Sequence, residues 1–195
     1  MKCEWKTKTL RFLTDIQTGP FGSQLHKEDY VDNGTPIVTV EHLGNRVFTE
    51  QNLPKVSDED KQRLSKYILK EGDIVFSRVG SVDRCSFVDK KHTGWMFSGR
   101  CLRVRSFEEI DPLFLYYFFC LKSTMEFMRS IAVGATMPSI NTKLMGEIEV
   151  FYPDKQTQEK IANLLGAIDD KIELNNAIND NLQQQAKALY QQMFI

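Results

Sequence analysis

A chain of 195 residues holds one domain of ordinary size plus an appendage, and 42% hydrophobic with 26% charged residues is the balance of a soluble globular protein. No apolar run approaches the roughly 18–20 residues needed to span a bilayer, and the opening MKCEWKTKTL lacks the apolar core of a signal peptide. Cys3, Cys85, Cys101 and Cys120 stand singly, with no CxxC pair and no metal-ligand spacing to His26, His42 or His92, so reduced thiols of a cytoplasmic protein are expected.

The net charge of −1 announces no nucleic-acid partner, but the charges are unevenly placed. The opening carries Lys2, Lys6, Lys8 and Arg11 against Glu4, and a glycine-rich loop follows at residues 18–23. Residues 37–40 read as a strand, and residues 57–67 as a short polar helix begun by Ser57. A second strand at 73–76 runs into a glycine loop at 78–81. Then comes the most basic stretch: Arg84, Lys90, Lys91, Arg100, Arg103 and Arg105 against Asp89 alone, interleaved with His92, Trp95 and Phe97. Residues 101–104 within it read as a strand. Pro112 opens a helix expected to run unbroken over residues 112–131, with Leu115, Phe119 and Met128 on its apolar stripe. A third glycine loop occupies 133–139, and 147–151 reads as the last strand. Strands and helices do not alternate regularly, so an α+β domain over residues 1–152 is expected.

After Pro153 the text becomes one uninterrupted helix, capped by Asp154 or Thr157 and forming a second unit over residues 153–195. Ile161, Leu165, Ile168, Ile172, Asn175, Asn179, Leu182, Ala186, Leu189 and Met193 are spaced alternately by four and three. That heptad repeat calls for a coiled-coil partner, and two seam asparagines cost stability while fixing register and partner number. The span from Ile161 to Met193 is about 50 Å at 1.5 Å per residue, too long to lie wholly over a domain whose radius of gyration is roughly 15 Å.

The chain lacks the signatures of common enzyme classes. There is no GxxxxGK[ST] loop, no GxGxxG after a strand, no GxSxG elbow, no HExxH and no Asn-Pro-Pro-aromatic motif of adenine methylation. Glu71 with Asp73, and Glu147 with Glu149, flank or enter strands. Alternate strand residues share a face, so the second pair has a spacing that a metal-dependent nuclease uses, although exposed strand acids are far commoner. The glycine loops offer close backbone approach and hydroxyl donors for phosphate or base edges, and equally serve as plain turns.

Taken in order, these pieces resemble the type I restriction–modification specificity subunit over nearly the whole chain. Trp5, GPFGSQL at 19–25, DYV at 29–31 and GTPIV at 34–38 open the likeness. GDIVFSR at 72–78 with Gly80 and Ser81 resembles the middle motif of the recognition domain, and GATMPSIN at 134–141 its closing loop. IEVFYP at 148–153, QEKI at 158–161 and LGAID at 165–169 resemble the entry into the family's spacer helix. Val82 and Asp83 stand where a glycine often follows the Gly-Ser pair.

The resemblance implies a non-catalytic, DNA-binding role with no cofactor in this chain. Members of the family usually carry two recognition domains and two spacer helices, each domain reading half of a split site in double-stranded DNA. This chain has one of each, so it is expected to act as a half-subunit that pairs with a second copy. Docked methyltransferase subunits would carry S-adenosylmethionine, and a motor–nuclease subunit would join. Expected DNA contacts are Arg78, Arg84, Lys90, Lys91 and Arg100 to phosphate or guanine, and Ser77, Ser81, Thr136, Ser139 and Asn141 through shorter side chains. The dimer seam is the heptad set from Ile161 to Met193. A different class, a coiled-coil scaffold or adaptor whose globular domain binds protein, also fits the long helix. The basic, aromatic stretch after Arg84 favours DNA over it.

Overall fold

The computed structural model describes residues 4–44 and 46–194, without the side chains of Ser23 and Lys27. Lys2 and Cys3 of the sequence reading lie outside the described residues. In chain order the strands are β1 (Lys6–Thr9), β2 (Thr14–Thr18), β3 (Tyr30–Val31), β4 (Thr35–Val38), β5 (Lys55–Val56), β6 (Ile74–Ser77), β7 (Cys85–Phe87), β8 (Met96–Phe97), β9 (Cys101–Ser106) and β10 (Glu149–Tyr152). The helices are α1 (Asp58–Arg63), α2 (Pro112–Cys120), α3 (Lys122–Ile131), α4 (Thr142–Gly146) and α5 (Lys155–Phe194).

A four-stranded antiparallel sheet, ordered β2-β9-β6-β7, forms the middle of the domain. Its inner strands are covered on both faces, and the period-two alternation sorts their side chains. Ile74, Phe76, Leu102 and Val104 enter one core with α2, α3 and the foot of α5. Val75 and Cys101 enter a second core with the sheet β3-β5-β4-β8. A third, two-stranded pair joins β1 to β10 and so brings the start of the domain to the residues that lead into α5. The result is the expected α+β architecture with a long C-terminal helix.

Three local expectations are corrected. Residues 37–40 do not form one strand: β4 stops at Val38, because Thr39 begins a 3-10 turn in which it and the His42 side chain cap each other. Residues 112–131 do not form one helix either. Asp111 caps α2 by accepting from the Phe114 N–H, and the chain then breaks at Leu121, whose φ of −64° and ψ of 133° are extended. α2 is apolar on nearly every face because it lies between the sheet and α5, whereas α3 buries only a stripe that includes Thr124 and Met128. Finally, β10 starts at Glu149, and Glu147 sits at the end of α4, bonded to Arg11 at 2.6 Å. Glu147 and Glu149 therefore share no strand face.

α5 is a single helix of 40 residues, about 60 Å long at 1.5 Å per residue. Its foot is stapled to the domain. The buried Gln158 side chain accepts from the Asp111 N–H and donates to the carbonyls of Glu109 and Pro153. Ala162 and Gly166 press on α2, where a Cβ on Gly166 would stand 3.3 Å from the Leu113 methyl. Tyr117 donates to Asp169 at 2.8 Å, and Arg46 reaches Asp170 at 2.5 Å. Burial and then the Asp169 acceptor raise the Tyr117 pKa, while burial opposes the Arg46 charge and Asp170 restores it. From residue 170 onward every described position of α5 is exposed. No helix among the described residues is long and apolar enough to cross a membrane.

Candidate nucleic-acid interface

Most of the basic stretch is spoken for. Arg103 projects from β9 into the interior, is 2% exposed, and pairs with Asp15. Burial and then the neighbouring Arg105 push its pKa down, and its Nε has no hydrogen-bond partner among the described residues. Arg105 closes on the buried Asp73. Arg84 is exposed, but its guanidinium donates to the Leu43 carbonyl. Lys91 binds Glu50 at 2.5 Å and holds that carboxyl below the usual range. In the opening segment Lys8 binds Glu109 at 2.7 Å, and Arg11 binds Glu147. Arg103 and Arg105 are thus structural pairs rather than part of a basic face. Alternation in β9 carries the signal: Arg103 and Arg105 lie two residues apart and so share a face, while Leu102 and Val104 between and before them enter the core on the other.

The glycine loops, three separate features in the sequence, meet at Arg78. The first loop lies back to back with residues 98–100, and the contact is too close for side chains. A Cβ on Gly19 would stand 2.1 Å from the Ser98 carbonyl oxygen, and one on Gly99 would stand 2.4 Å from that of Pro20. The Arg78 N–H donates to the Arg100 carbonyl at 2.8 Å, and its guanidinium donates to Gly99 O at 3.2 Å while lying 6.0 Å from the centre of the Phe21 ring. The Gly80 N–H donates to Pro138 O and the Ile140 N–H to Arg78 O, which ties residues 133–139 to the same place. The product is a cleft of about 560 Å³ with Arg78, Arg100, Phe21, Thr39 and Glu41 on its walls. Phe21 is 61% exposed, and Arg100 is exposed with no ion pair or side-chain hydrogen bond among the described residues. Sequence reasoning missed Phe21. Its signal was an aromatic residue in a glycine turn, where no core position exists.

The other expected contacts are divided by the structure. Ser81 and Thr136 are exposed on the loops around Arg78. Ser139 is half-buried there, its hydroxyl donating to Val133 O at 3.1 Å. Ser77 is buried, its hydroxyl donating to Val79 O at 2.7 Å, so it shapes the turn that presents Arg78. The Asn141 side chain accepts from the Leu144 N–H at 2.9 Å and caps α4. Lys90 and Lys91 stand on a separate loop, organised by the buried His92. That ring lies 2.5 Å from Asp89 and 3.2 Å from Glu50, and edge-on to Trp95. On α5, Ile161 and Leu165 are half-covered by the chain's own domain, while Ile168, Ile172, Asn175, Asn179, Leu182, Ala186, Leu189 and Met193 are exposed.

Among the described residues no group of three or more His, Cys, Asp or Glu side chains is arranged to hold a metal ion. Cys101 is buried, and burial pushes its thiol up to about 12. The arrangement brings cations, an aromatic ring and backbone loops together at one edge.

Residues 2–184 match the family model for the type I restriction modification DNA specificity domain. The chain belongs to that family. It is 32% identical over 170 residues to the type I restriction enzyme HindI specificity subunit of Haemophilus influenzae, covering 84% of this chain and 37% of that protein. It is 24% identical over 200 residues to the MjaIX specificity subunit of Methanocaldococcus jannaschii, covering 98% of this chain and 44% of the relative. The crystal structure of the S subunit of the type I restriction-modification system from M. genitalium superposes with a TM-score of 0.69 at 20% identity, covering 99% of this chain and 47% of that one. The chain therefore spans less than half the length of these relatives.

Proposed function

We propose that this chain is the DNA-reading half of a type I restriction–modification specificity subunit. The convergence of the three glycine loops on Arg78, beside Arg100 and Phe21, carries the reading. Guanidinium groups and backbone N–H groups set position on the phosphates, and side chains on the same loops read base edges. Arg84, Ser81, Thr136 and Ser139 lie on or next to these loops and contribute contacts; Lys90 and Lys91 reach more distant phosphates. The half reads half of a bipartite site. Its helix pairs with a second copy through the exposed heptad face, and the assembly docks methyltransferase subunits and a motor–nuclease subunit. Methyl transfer, with S-adenosylmethionine, belongs to those partners, and this chain contributes no catalytic residue.

Labelled duplex DNA, titrated at several salt concentrations, tests the reading. Each phosphate contact adds roughly 0.9 to the slope of log affinity against log salt. The chain should bind with a steep slope that falls by about one unit in Arg100→Ala. A folded chain that binds duplex with no salt dependence, or an Arg100→Ala variant with an unchanged slope, would place the DNA elsewhere.

A further inference from the structure

Two cysteines that stand far apart in sequence meet where β7 packs on α2. Alternate strand residues share a face, and Cys85 and Phe87 of β7 both turn to the core that holds α2. Tyr116 and Cys120 lie four residues apart on α2 and so share a face of the helix. The Phe87 and Tyr116 rings pack edge-on with centroids 5.9 Å apart. The step from Phe87 back to Cys85 is about 6.6 Å along a strand, and the step from Tyr116 on to Cys120 is about 6 Å along a helix. The two steps match, so the next side chains along that contact are Cys85 and Cys120. The thiols are hydrogen-bonded to each other, and the Tyr116 hydroxyl donates to the Cys120 sulfur. Their settings differ: Cys85 is buried, whereas Cys120 ends α2 and is exposed. Packing of a small apolar side chain accounts for Cys85. It does not account for an exposed sulfur to which a second thiol and a phenol both donate.

We infer that Cys85 and Cys120 form a reversible redox pair that a hydroperoxide closes into a disulfide, with Cys120 as the attacking sulfur and Cys85 as the resolving one. An accessible thiolate beside a second cysteine is the arrangement this chemistry requires. The Cys120 thiolate attacks one oxygen of the peroxide, the O–O bond breaks, and the departing hydroxide takes up a proton as water. Cys120 is then a sulfenic acid. The Cys85 sulfur attacks the Cys120 sulfur, the S–O bond breaks, and hydroxide leaves with the Cys85 proton as a second water. Two thiols and one hydrogen peroxide thus become one disulfide and two waters. The charges are placed to suit these roles. Hydrogen bonding from Cys85 is the main cause that holds the Cys120 thiol below its usual range; burial opposes it, and Tyr116 adds to it. The Cys120 sulfur and then burial push the Cys85 thiol well above that range. Sulfurs in hydrogen-bond contact must approach by roughly 1–2 Å to reach the bonded distance of about 2.05 Å. The last turn of α2 has that freedom, because the chain leaves helical geometry at Leu121. Cys85 directly follows Arg84, whose guanidinium donates to the Leu43 carbonyl, and Tyr117 of the same turn of α2 binds Asp169 of α5. The closed bond therefore ties the strand that follows the loop at 78–84 to the helix that seats α5.

The full chain, reduced and then treated with hydrogen peroxide, tests the pair. Two thiols should be lost, peptide mapping should find Cys85 linked to Cys120 as the main product, and dithiothreitol should restore both. Cys101, buried and with its thiol pushed up to about 12 by burial, should stay reduced and serves as the reference. Cys85→Ala removes the resolving sulfur, so capture of sulfenic acid at Cys120 by a cyclic 1,3-dione should rise about tenfold over the unaltered chain, where the neighbouring sulfur outcompetes the trap. Cys120→Ser should leave Cys85 reduced. Circular dichroism checks that both variants fold, and the mapping of the unaltered chain stands without them. Several results would overturn the inference: Cys120 oxidised to sulfinic acid beside a reduced Cys85, Cys120 linked chiefly to Cys3 or to another chain, or equal capture of sulfenic acid with and without Cys85. A link that forms as readily in urea-unfolded chain as in folded chain would do the same, because the fold would then contribute nothing to the pairing.

Discussion

Arg105 grips Asp73 at two points, with Nε 2.6 Å from one carboxylate oxygen and Nη2 2.7 Å from the other, and Asp73 has no exposed surface. Asp73 also accepts from the Lys70 N–H, and Arg105 donates to the Ile68 carbonyl. The pair thus closes the turn before β6 onto β9, the two central strands.

Removing one partner of a buried pair leaves an uncompensated charge, at a cost of about 3–5 kcal/mol. Arg105→Ala is therefore expected to lose about that much stability in denaturant unfolding while the folded fraction keeps its affinity and salt slope for DNA. A stable Arg105→Ala protein with a reduced slope would show that Arg105 serves DNA after all, as its position in the basic stretch suggests.

Phe21 and Arg100 share one cleft but should fail differently. An aromatic ring contributes apolar contact with no counterion release, so Phe21→Ala is expected to weaken duplex binding about tenfold, roughly 1.4 kcal/mol, at an unchanged salt slope. Arg100→Ala should lower both. Titrations of both variants across the same salt series check the distinction; equal slope losses would mean that Phe21 acts only by positioning Arg78.

The sequence makes the outline of the fold legible where one rule dominates. The heptads of α5 and the apolar runs of β6 and β9 are such places. Reading fails where a short-range contact overrides the pattern: the Thr39–His42 cap ends β4 early, and the break at Leu121 splits a stripe that looked continuous. Charge was the poorer guide. Arg103, Arg105 and Lys91 count as basic residues in sequence, but each meets an acid from a distant segment, at Asp15, Asp73 and Glu50. The glycines at 19 and 99 are uninformative singly, because their purpose is mutual: each loop lies where the other's side chain would be.

Glu50 should give the loop around Trp95 an acid-sensitive transition. Its carboxyl accepts from Lys91 and contacts His92, and Lys91 first, then His92, holds its pKa below the ordinary 4.5. A carboxyl depressed on folding contributes stability that is complete above its unfolded value and is lost as pH falls through its folded value. Trp95 stacks near Phe48 with centroids 6.3 Å apart and meets His92 edge-on at 4.5 Å, so its fluorescence reports the loop. A change in that emission is expected below pH 4.5 and should flatten in Glu50→Gln. An acid transition of the same size in Glu50→Gln would assign it to another carboxyl.

The length of α5 should set the gap between half-sites. With recognition domains at opposite ends of a helix pair about 50 Å long, and about 3.4 Å per base pair, half-site centres are expected on the order of 15 base pairs apart. A two-fold axis across the helices matches a palindromic arrangement of the halves. Seven residues inserted between Asn175 and Asn179, with apolar seam positions, continue the seam. They add about 10.5 Å, equivalent to roughly 3 base pairs. DNA also turns by about a third of a helical repeat over that distance, so the two recognition domains no longer meet the grooves at the original angle. The lengthened protein is expected either to select a gap longer by about 3 base pairs or to bind every spacing weakly. Selection of bound duplexes from a random pool, run for both proteins, reads the gap directly. An unchanged gap, or enrichment of one unsplit asymmetric site, would mean that α5 does not measure the distance between two readers.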